Sequence, residues 1–351
     1  MWGDTSFFGV IWNLTWGLAA LSVVALLVLF IRRLIIQFFQ RRRDRRRAAL
    51  QDLVFRYLEQ ADRGEDPTPL DLRARDQGLL LSVASEMMRG VTGAMRGNIV
   101  RLLNVHIDRP RLVRSFERAS GPDRAKLAAR MSWSDAPEVH AALNKALDDR
   151  SPDVVLAAAN ALIAAQQPIN LMTLMPKLEA REMLGHRGIR DICRKVAPAN
   201  VAALFTLIDD PNPAVAILAI DTMSRSPTPA ALRRLRGMAQ SHASVDVRAT
   251  ALRTLGLAGD LDAAAVVTAA LSDPAWEARA QAAVAAGRIR SAVALPKLAE
   301  LMRDSNWWVQ LRAAQALAKM GDAGLAILEG LLADQQLRPL ADFALSERHA
   351  A

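Results

Sequence analysis

The first feature of the hydrophobic pattern is an apolar stretch without a charged residue. Residues 7–31 contain no Asp, Glu, Lys or Arg, and about 20 apolar residues in a helix are enough to cross a hydrocarbon core of roughly 30 Å. Trp2, Trp12 and Trp16 lie toward one end, as interfacial aromatic residues often do. Arginines stand where a signal peptide would have its cleavage site. The pattern predicts a transmembrane helix over 7–31.

The charges that follow this stretch predict its orientation. Residues 32–47 hold eight arginines and one aspartate, and no basic residue precedes residue 32. The positive-inside rule then places the short N-terminal tail outside and the rest of the chain in the cytoplasm, as in a single-pass protein of a bacterial inner membrane. Anionic lipid headgroups are candidate ligands of the same arginines. The arginines in question are Arg32, Arg33, Arg41, Arg42, Arg43, Arg45, Arg46 and Arg47.

Beyond the arginines the apolar positions recur at helical spacing without forming a second span. Leu80, Ala84 and Met87 begin such a series, which continues to about residue 106. Charged residues interrupt the series, so we expect a helical cap region rather than another membrane helix. An alternative role for residues 70–106 is to drive oligomerisation of an assembly subunit.

A repeat of about 31 residues governs the second half of the chain. Val247, Ala278 and Val309 are 31 residues apart, and related positions occur at Val215 and Val154. Two further features recur at fixed offsets. A small residue is found at Ala158, Ala219, Ala251, Ala282 and Ala313. A polar residue precedes each helix at Asp149, Asp210, His242, Asp273 and Asp304.

Each recurring feature has a physical reason. An alanine lets one helix approach the next closely, and a carboxylate ahead of a helix accepts hydrogen bonds from free backbone N–H groups. One further repeat near Ile189 lacks the aspartate and has Cys193 at the alanine position, so it is degenerate. The pattern predicts an all-α solenoid of helix pairs, in which each repeat contacts only its neighbours.

The segments from Asp273 and from Asp304 resemble the second helix of a HEAT repeat, of the short kind found in bacterial proteins. This resemblance covers about residues 135–335. It implies an aspartate–arginine ladder between repeats, but Gln310, Ala216 and Val155 stand where the family has arginine. We therefore expect only a partial ladder.

These patterns divide the chain into six segments. They are a tail (1–6), a transmembrane helix (7–31), a basic juxtamembrane helix and linker (32–69), a cap region (70–134), the repeats (135–335) and a C-terminal cap (336–351). The net charge of +9 comes mainly from residues 32–47, which carry +7. The repeats are therefore nearly neutral, and this argues against nucleic acid as a partner.

Residues able to support catalysis are scattered. The five histidines have no His or Cys partner at metal-ligand spacing, and neither a phosphate-binding loop nor a nucleophile elbow is present. The His-Glu pairs used by HEAT-type hydroxylases are absent as well. We therefore predict no enzymatic activity, no cofactor and no metal. Some HEAT-like DNA glycosylases hold bases with Trp, Asp and Arg, but here Trp276 and Trp307 recur with the repeat, which favours packing between repeats.

Positions that recur faithfully build the solenoid, whereas variable polar positions are free to bind. Two offsets, four residues apart on the second helices, hold such residues on the side that lines the concave groove of HEAT proteins. The candidate protein-binding residues are Asn160, Asp221, Arg225, Arg253, Arg288, Gln315 and Lys319. An ordinary i,i+4 pair of Asp221 with Arg225 is the alternative.

The sequence therefore predicts a non-enzymatic, membrane-anchored scaffold that presents a protein-docking surface in a membrane complex. An enzyme or nucleic-acid-binding protein that uses Trp, Asp and Arg on the concave face is an alternative.

Overall fold

The structure, a computed structural model, describes the backbone of residues 4–73, 76–88 and 90–350. All regular secondary structure in these ranges is helical. The chain divides into two compact units, Met1–Arg114 and Ser115–Ala351.

The first unit is built on one long helix. Its helices are α1 (Asp4–Asp62), α2 (Gln77–Met87) and α3 (Gly93–His106). The C-terminal part of α1 contacts α2 and α3, and its buried side chains Leu50, Val54 and Leu58 are spaced at i, i+4 and i+8, on one face of a helix. The linker after α1 is held to α3, because the Leu70 backbone N–H donates to His106 Nε2 at 2.8 Å.

The prediction of a single-pass membrane protein is wrong. Over the residues that the structure describes, no helix offers an apolar stretch long enough to cross a bilayer. The apolar stretch of residues 7–31 is not a separate helix, since α1 runs through it and through the arginine-rich residues to Asp62 without a break. The predicted orientation, with the N-terminus outside and the repeats in the cytoplasm, depended on this span and is therefore wrong as well.

The arginines assigned to topology and lipid headgroups lie on α1. Arg32, Arg33, Arg45 and Arg46 are exposed, whereas Arg47 is half-buried and forms an ion pair with Glu86. The side chains of Arg41, Arg42 and Arg43 lie outside the described residues.

The second unit is a stack of helix pairs, which confirms the predicted α-solenoid. Helix α4 (Arg109–Arg118) leads into it. The first helices of the pairs, called A helices, are α6 (Pro137–Ala146), α8 (Leu171–Glu179), α10 (Val201–Leu207), α12 (Pro229–Ser241), α14 (Ala264–Ala270), α16 (Leu295–Leu301) and α18 (Gly321–Leu331). Short 3-10 turns precede α10, α14 and α16.

The second helices, called B helices, contact one another along the stack. They are α5 (Gly121–Arg130), α7 (Pro152–Ala164), α9 (Arg187–Val196), α11 (Pro213–Met223), α13 (Val245–Ala258), α15 (Trp276–Ile289), α17 (Trp307–Ala318) and α19 (Arg338–Ala350). All five alanines of the predicted register are at least 97% buried, as is Cys193 of the degenerate repeat. The register is therefore confirmed.

The polar residue ahead of each B helix caps the turn before it. Asp273 Oδ1 accepts from the backbone N–H of Ala275 at 2.8 Å, and Asp304 Oδ1 accepts from Asn306 in the same way. His242 replaces the usual aspartate but makes the equivalent bond, since its Nδ1 accepts from the Ser244 N–H at 3.1 Å.

The aspartate–arginine ladder is partial, as expected. Arg248 forms a two-pronged ion pair with Asp273 of the next repeat, with distances of 2.8 and 2.9 Å, and Arg279 pairs with Asp304 in the same way. The sequence reasoning missed a third rung, in which Arg124 of α5 donates to Asp149 at 2.6 Å.

Candidate docking surface

The predicted binding residues lie on, or just after, five of the B helices: α7, α11, α13, α15 and α17. Asn160, Arg225, Arg288 and Lys319 are exposed. Arg253 and Gln315 are half-exposed, and Asp221 is buried with 6% of its surface accessible. We call these seven residues, together with Lys195 of α9 at the equivalent register position, the B-helix face.

Contacts between repeats show that neighbouring members of the face touch. Lys195 Nζ donates to Asn160 Oδ1 at 3.0 Å, and Arg253 Nη2 donates to Asp221 Oδ1 at 2.9 Å. At the far end Gln315 Nε2 donates to Glu347 Oε2 at 2.9 Å. Hydrogen bonds therefore join α7 to α9 and α11 to α13 across this face, and at its far end α17 to α19.

Within this face, the carboxylate of Asp221 on α11 is surrounded by three arginines from the two neighbouring B helices, α9 and α13. Asp221 on α11 accepts from Arg194 of α9 at 2.7 Å and from Arg253 of α13 at 2.9 Å. A third guanidinium, that of Arg190, approaches Asp221 with its Nε at 3.9 Å. We call these four residues the Asp221 cluster.

The cluster carries more positive than negative charge. Three guanidinium groups share a single carboxylate, and their side chains are 38–45% exposed while that of Asp221 is 8% exposed. Each guanidinium has five N–H donors, and Asp221 takes only one from Arg194 and one from Arg253 in hydrogen bonds. These partly exposed guanidinium groups therefore keep N–H donors that Asp221 does not use.

Asp221 forms its ion pairs with arginines of the neighbouring repeats, whereas the alternative interpretation paired it with Arg225 four residues on. The sequence reasoning missed Arg194 because its repeat was judged degenerate. The equivalent positions in the other B helices are all buried and apolar, namely Ala159, Ile220, Leu252, Ala283 and Ala314. A charged residue at a position that is otherwise apolar was the signal that could have identified it.

A cavity of about 310 Å³ opens beside the cluster. Arg194 and Arg225 stand on its wall, and its apolar lining includes Val201, Leu204 and Met223. It therefore combines an apolar interior with two guanidinium groups.

The tryptophans do not fit the packing role that the repeat suggested. Trp276 is 38% exposed, Trp307 is 56% exposed and Trp308 is 50% exposed, at the N-termini of α15 and α17. Only Trp133, among the tryptophans of the second unit, is buried. Trp307 and Trp308 contact each other edge to face, with ring centroids 4.9 Å apart.

The single cysteine of the chain, Cys193, has a buried thiol. Burial raises its pKa to about 12, so it is protonated at neutral pH and a poor nucleophile. This supports the prediction that it is a small core residue. Among the described residues, no three His, Cys, Asp or Glu side chains are grouped so as to hold a metal ion.

Comparison with known proteins supports the repeat assignment. A family model for HEAT repeats matches residues 238–318 and, overlapping them, residues 266–344. No curated protein matches this chain.

Several solved structures match the chain at low sequence identity. A structure of the Kap95p–RanGDP complex matches with 14% identity and a TM-score of 0.45, over 76% of this chain and 44% of that one. Human deoxyhypusine hydroxylase matches with 16% identity and a TM-score of 0.31, over 89% and 99%. An engineered protein matches with 16% identity and a TM-score of 0.36, over 88% and 96%. The chain thus spans less than half the length of the first of these structures.

Proposed function

We propose that the second unit is a docking scaffold that binds another protein through the B-helix face and catalyses no reaction. The observation that carries this proposal is that the B helices have buried small residues at some register positions and exposed charged residues at others. The alanines between helices are buried, whereas Arg225, Arg288 and Lys319 project into solvent from one face. A solenoid surface of this kind suits extended contacts with a partner.

The state of the central carboxylate supports binding rather than catalysis. Asp221 is held by Arg194 and Arg253, and only 8% of its side chain is exposed. A carboxylate enclosed in this way is poorly placed as a general base, because a general base must come within hydrogen-bond distance of the proton that it removes.

Nucleic acid binding is the second candidate, and the exposed tryptophans favour it. Single-stranded nucleic acids are held by aromatic side chains interleaved with basic ones. Here, however, the Asp221 cluster lies on α9, α11 and α13, whereas Trp276, Trp307 and Trp308 begin α15 and α17. Since the two groups lie on different repeats, a protein partner is the better match.

Site-specific photo-crosslinking in the host cell tests the proposal. Val284 is the apolar member of the B-helix register, so a photoreactive residue at this position removes no charge. Gln240, exposed on α12, is the matched control. We expect crosslinks to one protein from position 284 and none to that protein from position 240.

The triple variant Arg225→Glu, Arg288→Glu, Lys319→Glu should abolish the crosslink from position 284 while leaving the thermal unfolding midpoint unchanged, because all three side chains are exposed. Equal crosslinking from both positions would contradict a specific face. Crosslinks to nucleic acid alone would favour the second candidate.

A further inference from the structure

We propose that the Asp221 cluster and the adjacent cavity form the anchor site for an acidic protein segment, with a large apolar side chain of that segment in the cavity and its carboxylates on Arg194 and Arg225. This inference rests on the proposed function and specifies the chemistry of the partner.

The first argument is that the arginines are held in place before binding. Asp221 is buried and fixes Arg194 and Arg253 from two neighbouring repeats at 2.7 and 2.9 Å. Both side chains remain 38% exposed. A guanidinium already held at one N–H edge loses less side-chain entropy when a ligand carboxylate takes another edge.

The second argument is the charge around the site. Three guanidinium groups of the cluster face one carboxylate, and Arg225 adds a fourth at the cavity wall. The nearby acid Asp191 is engaged with Lys195 at 2.8 Å. An incoming carboxylate therefore meets excess positive charge, and charge-assisted hydrogen bonds from arginine are among the stronger ones.

The third argument is the composition of the cavity. Its apolar lining comprises Ala197, Pro198, Val201, Leu204 and Met223. At about 310 Å³ it lies at the low end of the range for ligand pockets, roughly 300–1,000 Å³, and suits one or two side chains. None of the described residues that line it is aromatic, so a nucleobase would find nothing to stack on. An apolar side chain of a peptide matches this interior.

Selection from a random peptide display library against the full chain tests the site. We expect enriched peptides to carry a large apolar residue next to two or more Asp or Glu residues. Synthetic versions should bind at least about tenfold more weakly to Arg225→Glu, because one charge-assisted hydrogen bond is lost and a repulsion is added. The Arg225→Lys variant, which keeps the charge, should show a smaller loss. Raising the salt concentration should weaken binding to the wild type.

A second variant tests the cavity separately from the charge. Val201 lines the cavity and is 46% exposed, so Val201→Trp should fill the space without disturbing the core and should weaken binding about tenfold. Val293→Trp, at a position 70% exposed and away from the cavity, is the matched control and should bind as the wild type does.

The outcomes separate this inference from the proposed function. Enrichment of nothing, of peptides without acidic residues, or of peptides that bind equally to Arg225→Glu and Val201→Trp would overturn the anchor site. Tighter binding of a labelled single-stranded oligonucleotide, lost in Arg225→Glu, would overturn it in favour of nucleic acid. If crosslinks from position 284 persist in any of these cases, the docking surface stands and only the anchor site fails.

Discussion

At the scale of single residues, the aspartates of the repeats serve two different purposes. Asp273 and Asp304 each cap a turn, and each accepts a bidentate pair of hydrogen bonds from an arginine of the preceding repeat. Most of the hydrogen-bonding capacity of these two carboxylates is therefore used within the fold. Asp221 instead forms ion pairs with arginines that remain partly exposed. The same residue type therefore joins two repeats through largely buried arginines in one place and through partly exposed arginines in the other.

Replacing the central carboxylate tests its structural part. Asp221→Asn keeps the shape of the side chain but removes the charge that holds Arg194 and Arg253 together. We expect the free energy of unfolding to fall by about 1–2 kcal/mol, a modest amount because both arginines can reach solvent. Urea denaturation measures this change. Asp191→Asn, in an exposed pair with Lys195, should change it by less than about 0.5 kcal/mol.

The ladder carboxylates predict how stability depends on pH. Burial alone would raise the pKa of Asp273 and Asp304, but the hydrogen bonds from Arg248 and Arg279 and from backbone N–H groups outweigh it and hold both pKa values below the usual 3.8. Because the folded-state pKa is lowered, the stabilisation is present above the unfolded-state pKa and is lost as the pH falls through the folded-state pKa.

We therefore expect the free energy of unfolding to decrease as the pH falls below about 4. The double variant Asp273→Asn, Asp304→Asn should be less stable at pH 7, and its stability should decline less with acidification. Urea denaturation between pH 7 and pH 3 checks this. Parallel declines in the two proteins would show that other groups govern the acid response.

At the scale of the helices, glycine sets how closely the B helices pack. A Cβ built on Gly256 of α13 would lie 2.7 Å from Ala285 Cα of α15, and one on Gly287 of α15 would lie 2.8 Å from Ala316 Cα of α17. Glycine inside a helix is unfavourable by roughly 1 kcal/mol relative to alanine. The close approach of the next backbone explains why it is present at both positions.

Alanine substitution at these glycines should reverse the usual effect. Gly256→Ala and Gly287→Ala should each lower the free energy of unfolding by about 1–3 kcal/mol, because the contacted atoms belong to backbone and cannot move aside easily. Gly237→Ala on α12 has open space around it and should raise stability by up to about 1 kcal/mol. Thermal unfolding of the three variants distinguishes these results. Stabilisation by Gly256→Ala would mean that the helices can separate without cost.

The helices themselves were predictable from the sequence, but their lateral contacts were only partly so. The register of alanines located the B helices, because a small residue between stacked helices leaves a periodic trace. Gly256 and Gly287 are also 31 residues apart, but the need for glycine at these positions depends on how closely Ala285 and Ala316 of the next repeat approach, and only the structure shows that distance. The partners of Asp221 could not be predicted either. Arg194 is 27 residues away from it in another repeat, whereas sequence spacing suggests a local pair with Arg225.

At the scale of the whole molecule, the apolar length of the N-terminal stretch and the total charge of the repeats were both misleading. The run of residues 7–31 was interpreted as a span on its apolar length, yet it is the beginning of a helix that continues to Asp62. In the repeats, the near-neutral total conceals a local excess of positive charge around Asp221. A net charge therefore says little about a surface whose ion pairs are unevenly distributed.

The ladder also predicts an uneven stability along the second unit. In a solenoid, stability is approximately a sum of repeat and nearest-neighbour terms, so strongly joined repeats open last. Helices α13, α15 and α17 are joined by two-pronged pairs from Arg248 and Arg279 and by the close glycine contacts. The junction between α11 and α13 has no equivalent rung, because Ala216 and His242 occupy the positions of its arginine and aspartate.

Hydrogen exchange followed by mass spectrometry measures this gradient. We expect the backbone amides of α15 to exchange more slowly than those of α9, with rates differing by more than about tenfold. Arg279→Gln should accelerate exchange in α15 and α17 and leave α9 nearly unchanged, because only the rung to Asp304 is lost. The matched variant Arg288→Gln, at an exposed position on α15, should not alter the pattern. Uniform exchange across the B helices, or an equal response of α9 to Arg279→Gln, would show instead that the second unit opens as a single cooperative body.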